Sequence, residues 1–253
     1  MTTWKASSDT WWASDNALGE PVNTHIYRVV IRSQISTGRL LALAGLSGVA
    51  ILLAFVARAA DDPVEVATRS MGTFGTNIFA PFIALALGSA ALGNLVEDRT
   101  LVYVWLRPVP RHTVATAAFA AVISVVGPIV VAVMTVAAAI TGVSDLLVAT
   151  AVATALAVFA YSGLFLALGL RFKRSLLVGL GYIAIWELLL SRLGDWFARL
   201  SVRSYPMSIL SDATDVSMRL ADRSTLASYI VPLAVGLAGM IYTSWRLTRT
   251  EID

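Results

Sequence analysis

Cysteine is absent from the 253 residues, and histidine occurs only twice. Disulfide frameworks, thiolate metal sites and thiol nucleophiles are therefore excluded. His25 and His112 stand alone and offer no metal-ligand set. Charge is also scarce: 14% of residues are Asp, Glu, Lys or Arg, against about 25% in an average soluble domain. No GxxxxGK[ST] run is present to cradle a nucleotide phosphate, so the chain is not expected to hydrolyse ATP. A cleavable leader is not expected either. Residues 1–21 place Trp4, Trp11 and Trp12 among Ser, Thr, Asp and Asn, without the apolar core of a signal peptide.

What is there is apolar residue in long runs, 57% of the chain by composition. The segments Leu40–Ala57, Ser70–Val96, Thr113–Ser144, Leu146–Leu170 and Ser224–Trp245 carry no charge. Each is close to or above the roughly 18–20 residues that cross about 30 Å of hydrocarbon as a helix. A sixth run, Ser175–Leu190, is shorter and contains Glu187. The runs are apolar on all sides, unlike the striped helices of a soluble bundle, and lack the alternation of a barrel strand. The fold class expected is all-α: a polytopic membrane protein of six transmembrane helices forming one domain over 1–253.

Lysine and arginine set the expected orientation. With the N-terminus in the cytoplasm, the inner segments hold 12 basic residues and the outer ones 7, which together make the 19 in the chain. The short cluster Arg171-Phe172-Lys173-Arg174 weighs most, because short loops beside spans follow the rule best. Both termini are thus expected in the cytoplasm of a multi-pass cell-membrane protein. The net charge of +3 follows from this arrangement, and no nucleic-acid partner is expected.

The first 21 residues read as a cytoplasmic tail, and its tryptophans could alternatively sit at headgroup level. Residues 22–39 place Val22, Ile26, Val29 and Val30 on one side and Arg28, Arg32 and Arg39 elsewhere. That pattern suits an in-plane helix at the lipid interface; a basic flank orienting the first span is the alternative. The six-span bundle then occupies 40–245, and 246–253 form a second cytoplasmic tail. Pro81, Pro128 and Pro232 are expected to kink their spans. Ala44/Gly48 and Ser89/Gly93 have the four-residue spacing of close helix contacts.

Before the last span, Leu189, Leu193, Trp196, Phe197 and Leu200 recur at helical spacing, with Arg192, Asp195, Arg199 and Arg203 on another side. This predicts an amphipathic helix broken at Tyr205-Pro206, followed by a second over Met207–Leu220. The two form an outer helical pair that re-enters the membrane; a solvated loop is the alternative.

Between the second and third runs the chain reads NLVEDRTLVYVWLRPVPRHT from Asn94 to Thr113. Such a charged, partly apolar loop suits the grip of a soluble partner. Glu97-Asp98-Arg99-Thr100-Leu101, then Leu106-Arg107-Pro108-Val109 and Arg111, preceded by Gly88-Ser89, resemble the membrane permease subunits of type-2 ABC exporters. The resemblance extends more loosely over the whole chain.

It implies a permease subunit, not an enzyme, that forms a translocation pathway as a dimer with a second permease chain, identical or paralogous. Two copies of a separate ABC ATP-binding subunit would bind ATP and magnesium and drive export. The loop would be the coupling element: Leu101, Tyr103 and Trp105 as apolar anchors, with Glu97, Asp98, Arg99, Arg107 and Arg111 fixing register. Arg171, Lys173 and Arg174 would make a lesser inner-loop contact. The aliphatic spans suit an amphipathic cargo such as a drug or lipid.

A stand-alone secondary transporter or channel is the alternative. It would place ionisable groups within spans, and only Glu187 qualifies in the sequence. A membrane enzyme or an anchor protein fits less well.

Overall fold

In hydrocarbon every backbone N–H and C=O needs a partner within the chain, so long apolar runs become helices. The computed structural model describes residues 37–97, 111–172, 174–189, 195–218 and 223–249. Among them every regular element is helical: α1 Thr37–Arg58, α2 Pro63–Ser70, a π-helical segment Met71–Phe79, α3 Ala80–Glu97, α4 Arg111–Thr141 and α5 Ser144–Arg171. Then follow α6 Ser175–Gly181, a second π segment Tyr182–Leu189, α7 Asp195–Leu200, α8 Ser204–Thr214 and α9 Thr225–Arg249.

Among the described residues five stretches are long and apolar enough to cross a membrane: Thr37–Arg58, Pro63–Ser89, His112–Thr141, Ser144–Arg171 and Thr225–Arg249. Ser175–Glu187 is apolar but shorter. The in-plane helix expected over 22–39 lies outside the described residues except for its last three. Thr37, Gly38 and Arg39 are the first turn of α1. Residues 1–21 also lie outside, and the tail expected over 246–253 is helical as far as Arg249.

The second span starts seven residues earlier than its charge-free run. Asp62 accepts from the Glu65 N–H at 3.1 Å, and Pro63 opens the helix where no donor is needed.

The bundle is built around α5, which packs against α3, α4, α8 and α9. Its two closest crossings run through glycine. A methyl group at Gly163 would overlap the Gly236 carbonyl, and one at Gly239 would overlap the backbone of Gly163. On the neighbouring face, a Cβ at Gly169 would lie 2.7 Å from the Ser89 carbonyl oxygen. Lipid tails are as apolar as leucine, so helices associate in membranes through close packing, which small residues permit. Of the two expected small-residue pairs, Ser89 sits at such a crossing, whereas Ala44 is exposed and Gly48 has nothing near it.

The first π segment has a local cause. In the second span, Pro81 has no N–H to give the Asn77 carbonyl and would clash with it in a regular helix. The turns just before it are widened, with the Ala80 N–H reaching back to the Gly75 carbonyl. Thr76 and Asn77 are buried on this segment, and the Thr76 hydroxyl donates to the Gly72 carbonyl at 2.6 Å. Pro128 and Pro232, by contrast, lie within continuous helices.

The outer segment departs from its sequence pattern in three ways. Among the described residues the first helix is Asp195–Leu200, while Leu189, where the periodicity begins, belongs to the π segment Tyr182–Leu189. Tyr205-Pro206 does not break a helix; it lies in the first turn of α8, where proline is tolerated. That helix runs Ser204–Thr214 rather than Met207–Leu220, stopped by Asp215 in the left-handed conformation at φ 55°.

Candidate functional site

Antiparallel packing sorts the charges onto two ends of the bundle. Val114 near the start of α4, Leu170 at the end of α5 and Leu247 at the end of α9 are buried together. Arg111, Arg171, Arg246 and Arg249 therefore belong to one end. Arg58 donates to the Ile140 carbonyl at 3.0 Å, so α1 finishes at the opposite end and Arg39 starts with the basic group. Among the described residues this first end has Arg39, Arg111, Arg171, Arg174, Arg246 and Arg249, with Glu97 as its acid. The opposite end carries Asp61, Asp62, Glu65, Asp145, Asp212 and Asp215 alongside Arg58, Arg69, Arg199 and Arg223. Arg249 lies 4.4 Å from the Trp245 ring centroid, a cation–aromatic pair of the kind that suits a membrane interface.

The expected coupling residues divide accordingly. Glu97 closes α3 and Arg111 opens α4, which brings both ends of the loop to the basic end. Asp98, Arg99, Leu101, Tyr103, Trp105 and Arg107 lie outside the described residues, as does Lys173. Arg171 is exposed at the end of α5, 5.4 Å from the Phe172 ring centroid, and exposed Arg174 precedes α6.

A second constellation lies inside the bundle. The seven residues of α6 and eight of the following π segment span at most about 22 Å at ~1.5 Å per residue, short of the ~30 Å core. The α7–α8 pair fills in from the other end. Thr214, at the end of α8, meets Thr68 near the start of the second span at 3.1 Å, while residues 201 and 202 reach Glu187.

Glu187 is fully buried. Its carboxylate accepts from the Tyr182 hydroxyl at 2.9 Å, from the Ser201 hydroxyl, and from the Val202 N–H at 3.2 Å. Arg203 is buried to 1% exposure, and Tyr161 of α5 is fully buried, its ring stacked on Phe165, which meets the Tyr182 ring edge-on. A buried acid is tolerated when donors and an opposite charge replace its water. Here the π segment and the turn between α7 and α8 supply the donors.

This corrects the sequence pattern at Arg203, which helical spacing set on a solvent-facing side with Arg199. Arg199 is exposed as expected, but the chain turns between Leu200 and Ser204, so the periodicity does not carry through to Arg203. Glu187 was visible as an acid in an apolar run; the burial of Arg203 was not.

No protein-family model and no curated protein matches the chain. Among the described residues no group of three His, Asp or Glu could hold a metal ion. The two constellations thus stand on geometry alone: a basic end where one loop joins two spans, and a buried carboxylate bridging a short span to a hairpin.

Proposed function

We propose that this chain is the permease subunit of an ATP-driven exporter of the type-2 ABC class. In this reading it crosses the cell membrane six times, the fifth crossing completed by α6, its π segment and the α7–α8 pair. The basic end and both termini face the cytoplasm, in keeping with the preference of lysine and arginine for that side. Two permease chains form the pathway for an amphipathic cargo. Two copies of a separate subunit bind ATP and magnesium.

The observation that carries the reading is the position of the Glu97–Arg111 connection. It leaves the bundle at the end where Arg39, Arg171, Arg174, Arg246 and Arg249 gather. Its own residues set the apolar run Leu101–Leu106 between Glu97-Asp98-Arg99 and Arg107, and Tyr103, Trp105 and arginine are of the types enriched at interface hot spots.

The test is capture of an ATP-binding partner by the full chain in nanodiscs, with ATP hydrolysis measured in the captured complex. Trp105→Ala and Tyr103→Ala are expected to weaken association by about 2 kcal/mol or more if they are anchors. Glu97→Lys and Asp98→Lys should leave the spans folded and lower transport-coupled hydrolysis. Wild-type chain that captures no ATPase, or variants that couple normally, would overturn the proposal. One observation favours a second reading, a stand-alone transporter: buried Glu187 and Arg203 are ionisable groups within the bundle, where such groups mark pathways. Transport by the chain without any ATPase would establish it.

A further inference from the structure

We propose that the acidic end of the bundle carries a binding site for a small lipophilic ammonium, held in the cleft between α5, α8 and α9. The inference goes beyond the exporter reading and does not depend on it, because occupancy is read on this chain alone.

The cleft has a volume of about 340 Å³, at the small end of the ~300–1,000 Å³ usual for ligand pockets. That size suits one short tail better than a two-chain lipid. Its three walls share one gradient from polar to apolar. On α5, which begins at Ser144, Asp145 stands at the mouth, and Val148 and Val152 follow about one and two turns further in. On α9, which begins at Thr225, Tyr229 lines the cleft about one turn in. The α8 helix runs the other way and ends at Thr214, against Thr68 at the acidic end. Asp212 is therefore at the mouth and Ile209 below it.

From Asp145 to Val152 the wall descends about 10 Å at the rise of an α-helix. Charged groups thus meet water where all three helices have an end, and apolar side chains continue toward the hydrocarbon. An occupant matched to this gradient has a polar head at the surface and a tail beneath it.

The sign of the head follows from the mouth. Asp145 and Asp212 are both exposed on facing walls, and among the described residues no lysine or arginine lines the cleft. The Asp145 carboxylate accepts from the Ser144 hydroxyl at 3.4 Å, and among the described residues neither acid is in an ion pair. Two arginines of this end are engaged elsewhere, Arg58 with the Ile140 carbonyl and Arg69 with Glu65 at 2.7 Å. A cleft with acids of one sign and low-dielectric walls concentrates the opposite charge. An anionic head would be repelled by both acids. Tyr229 adds an aromatic ring to the same lining, and ammonium groups are attracted to aromatic faces.

The probe is octyltrimethylammonium, titrated onto the full chain in phosphatidylcholine nanodiscs with empty nanodiscs as the blank. Saturable binding of a single probe per chain is expected. Octyl sulfate and octanol share the tail and should bind about tenfold more weakly or worse, having lost the attraction to the acids and the ring. Asp145→Asn and Asp212→Asn should each weaken probe binding about two- to fivefold, as for exposed charge pairs. Tyr229→Ala should cost a similar factor, and Tyr229→Phe, which keeps the ring, should restore the affinity. Val148 is 67% exposed, so Val148→Trp fills the cleft from its open side without disturbing the core and should abolish saturable binding. Octyl sulfate or octanol bound as tightly as the ammonium would overturn the cationic ligand. Unchanged saturable binding in Val148→Trp or in the Asp145→Asn/Asp212→Asn double variant would overturn the site. Wild-type chain without saturable binding would overturn both.

Discussion

Gly163 lies at a point where α5 and α9 touch backbone to backbone, and no other residue type fits there. A side chain would have to push the two helices apart against Gly236 and Gly239. Gly163→Val is therefore expected to destabilise the bundle by about 1–3 kcal/mol, the usual range for overpacking. Reversible unfolding in mixed micelles would measure it. Gly181→Ala is the matched control, since nothing lies within 4 Å of a Cβ there; it should be neutral or gain up to about 1 kcal/mol of helix propensity. The sequence does not single out these glycines among seventeen. Four-residue spacing picks Ala44/Gly48, which contacts nothing close, as readily as Ser89, which lies in a crossing. Spacing reports which residues share a helix face, not which face meets another helix.

At the scale of elements, apolar length was a sound guide for the five long helices, because the bilayer imposes it. The outer pair was less legible, because its turn is held by tertiary contacts. Helical periodicity from Leu189 to Arg203 continues on paper across a chain that bends after Leu200 to meet Glu187. The end of α8 has its own local cause. Asp215 adopts φ 55°, a conformation that costs most residues roughly 1–2 kcal/mol and glycine almost nothing. Asp215→Gly should thus stabilise the chain by up to about 1 kcal/mol, partly offset by greater freedom in the unfolded state. Asp215→Val should do the reverse. Thermal unfolding of the two variants side by side would check the sign.

For the whole molecule the decisive property is the separation of charge between its ends, and it yields a prediction about sidedness. Asp145→Cys and Asp212→Cys, singly in the cysteine-free chain, are expected to react with an impermeant thiol reagent added outside intact cells. Arg171→Cys and Arg246→Cys should react only after permeabilisation. The opposite pattern would invert the molecule in the membrane and remove the basis for an ATPase at the basic end. The basic bias was readable from residue order alone. Grouping Arg171 with Arg249 required the helices to be packed, because 78 positions of chain separate them.

The central place of α5 has a consequence for biogenesis. This helix supplies a packing face to α3, α4, α8 and α9, yet it is the fourth long helix to leave the ribosome. Until it arrives, the second span has no partner at its Ser89 crossing, although 72% of that span's apolar window is buried in the finished bundle. The first three spans must wait in the bilayer or its insertion machinery with buried Thr76, Asn77 and Ser89 on helices whose final neighbour is still unmade. Only then can α9, with 22% of its window buried, close over Gly163. The arrival of α5, rather than the order of synthesis, is therefore expected to set when the bundle closes.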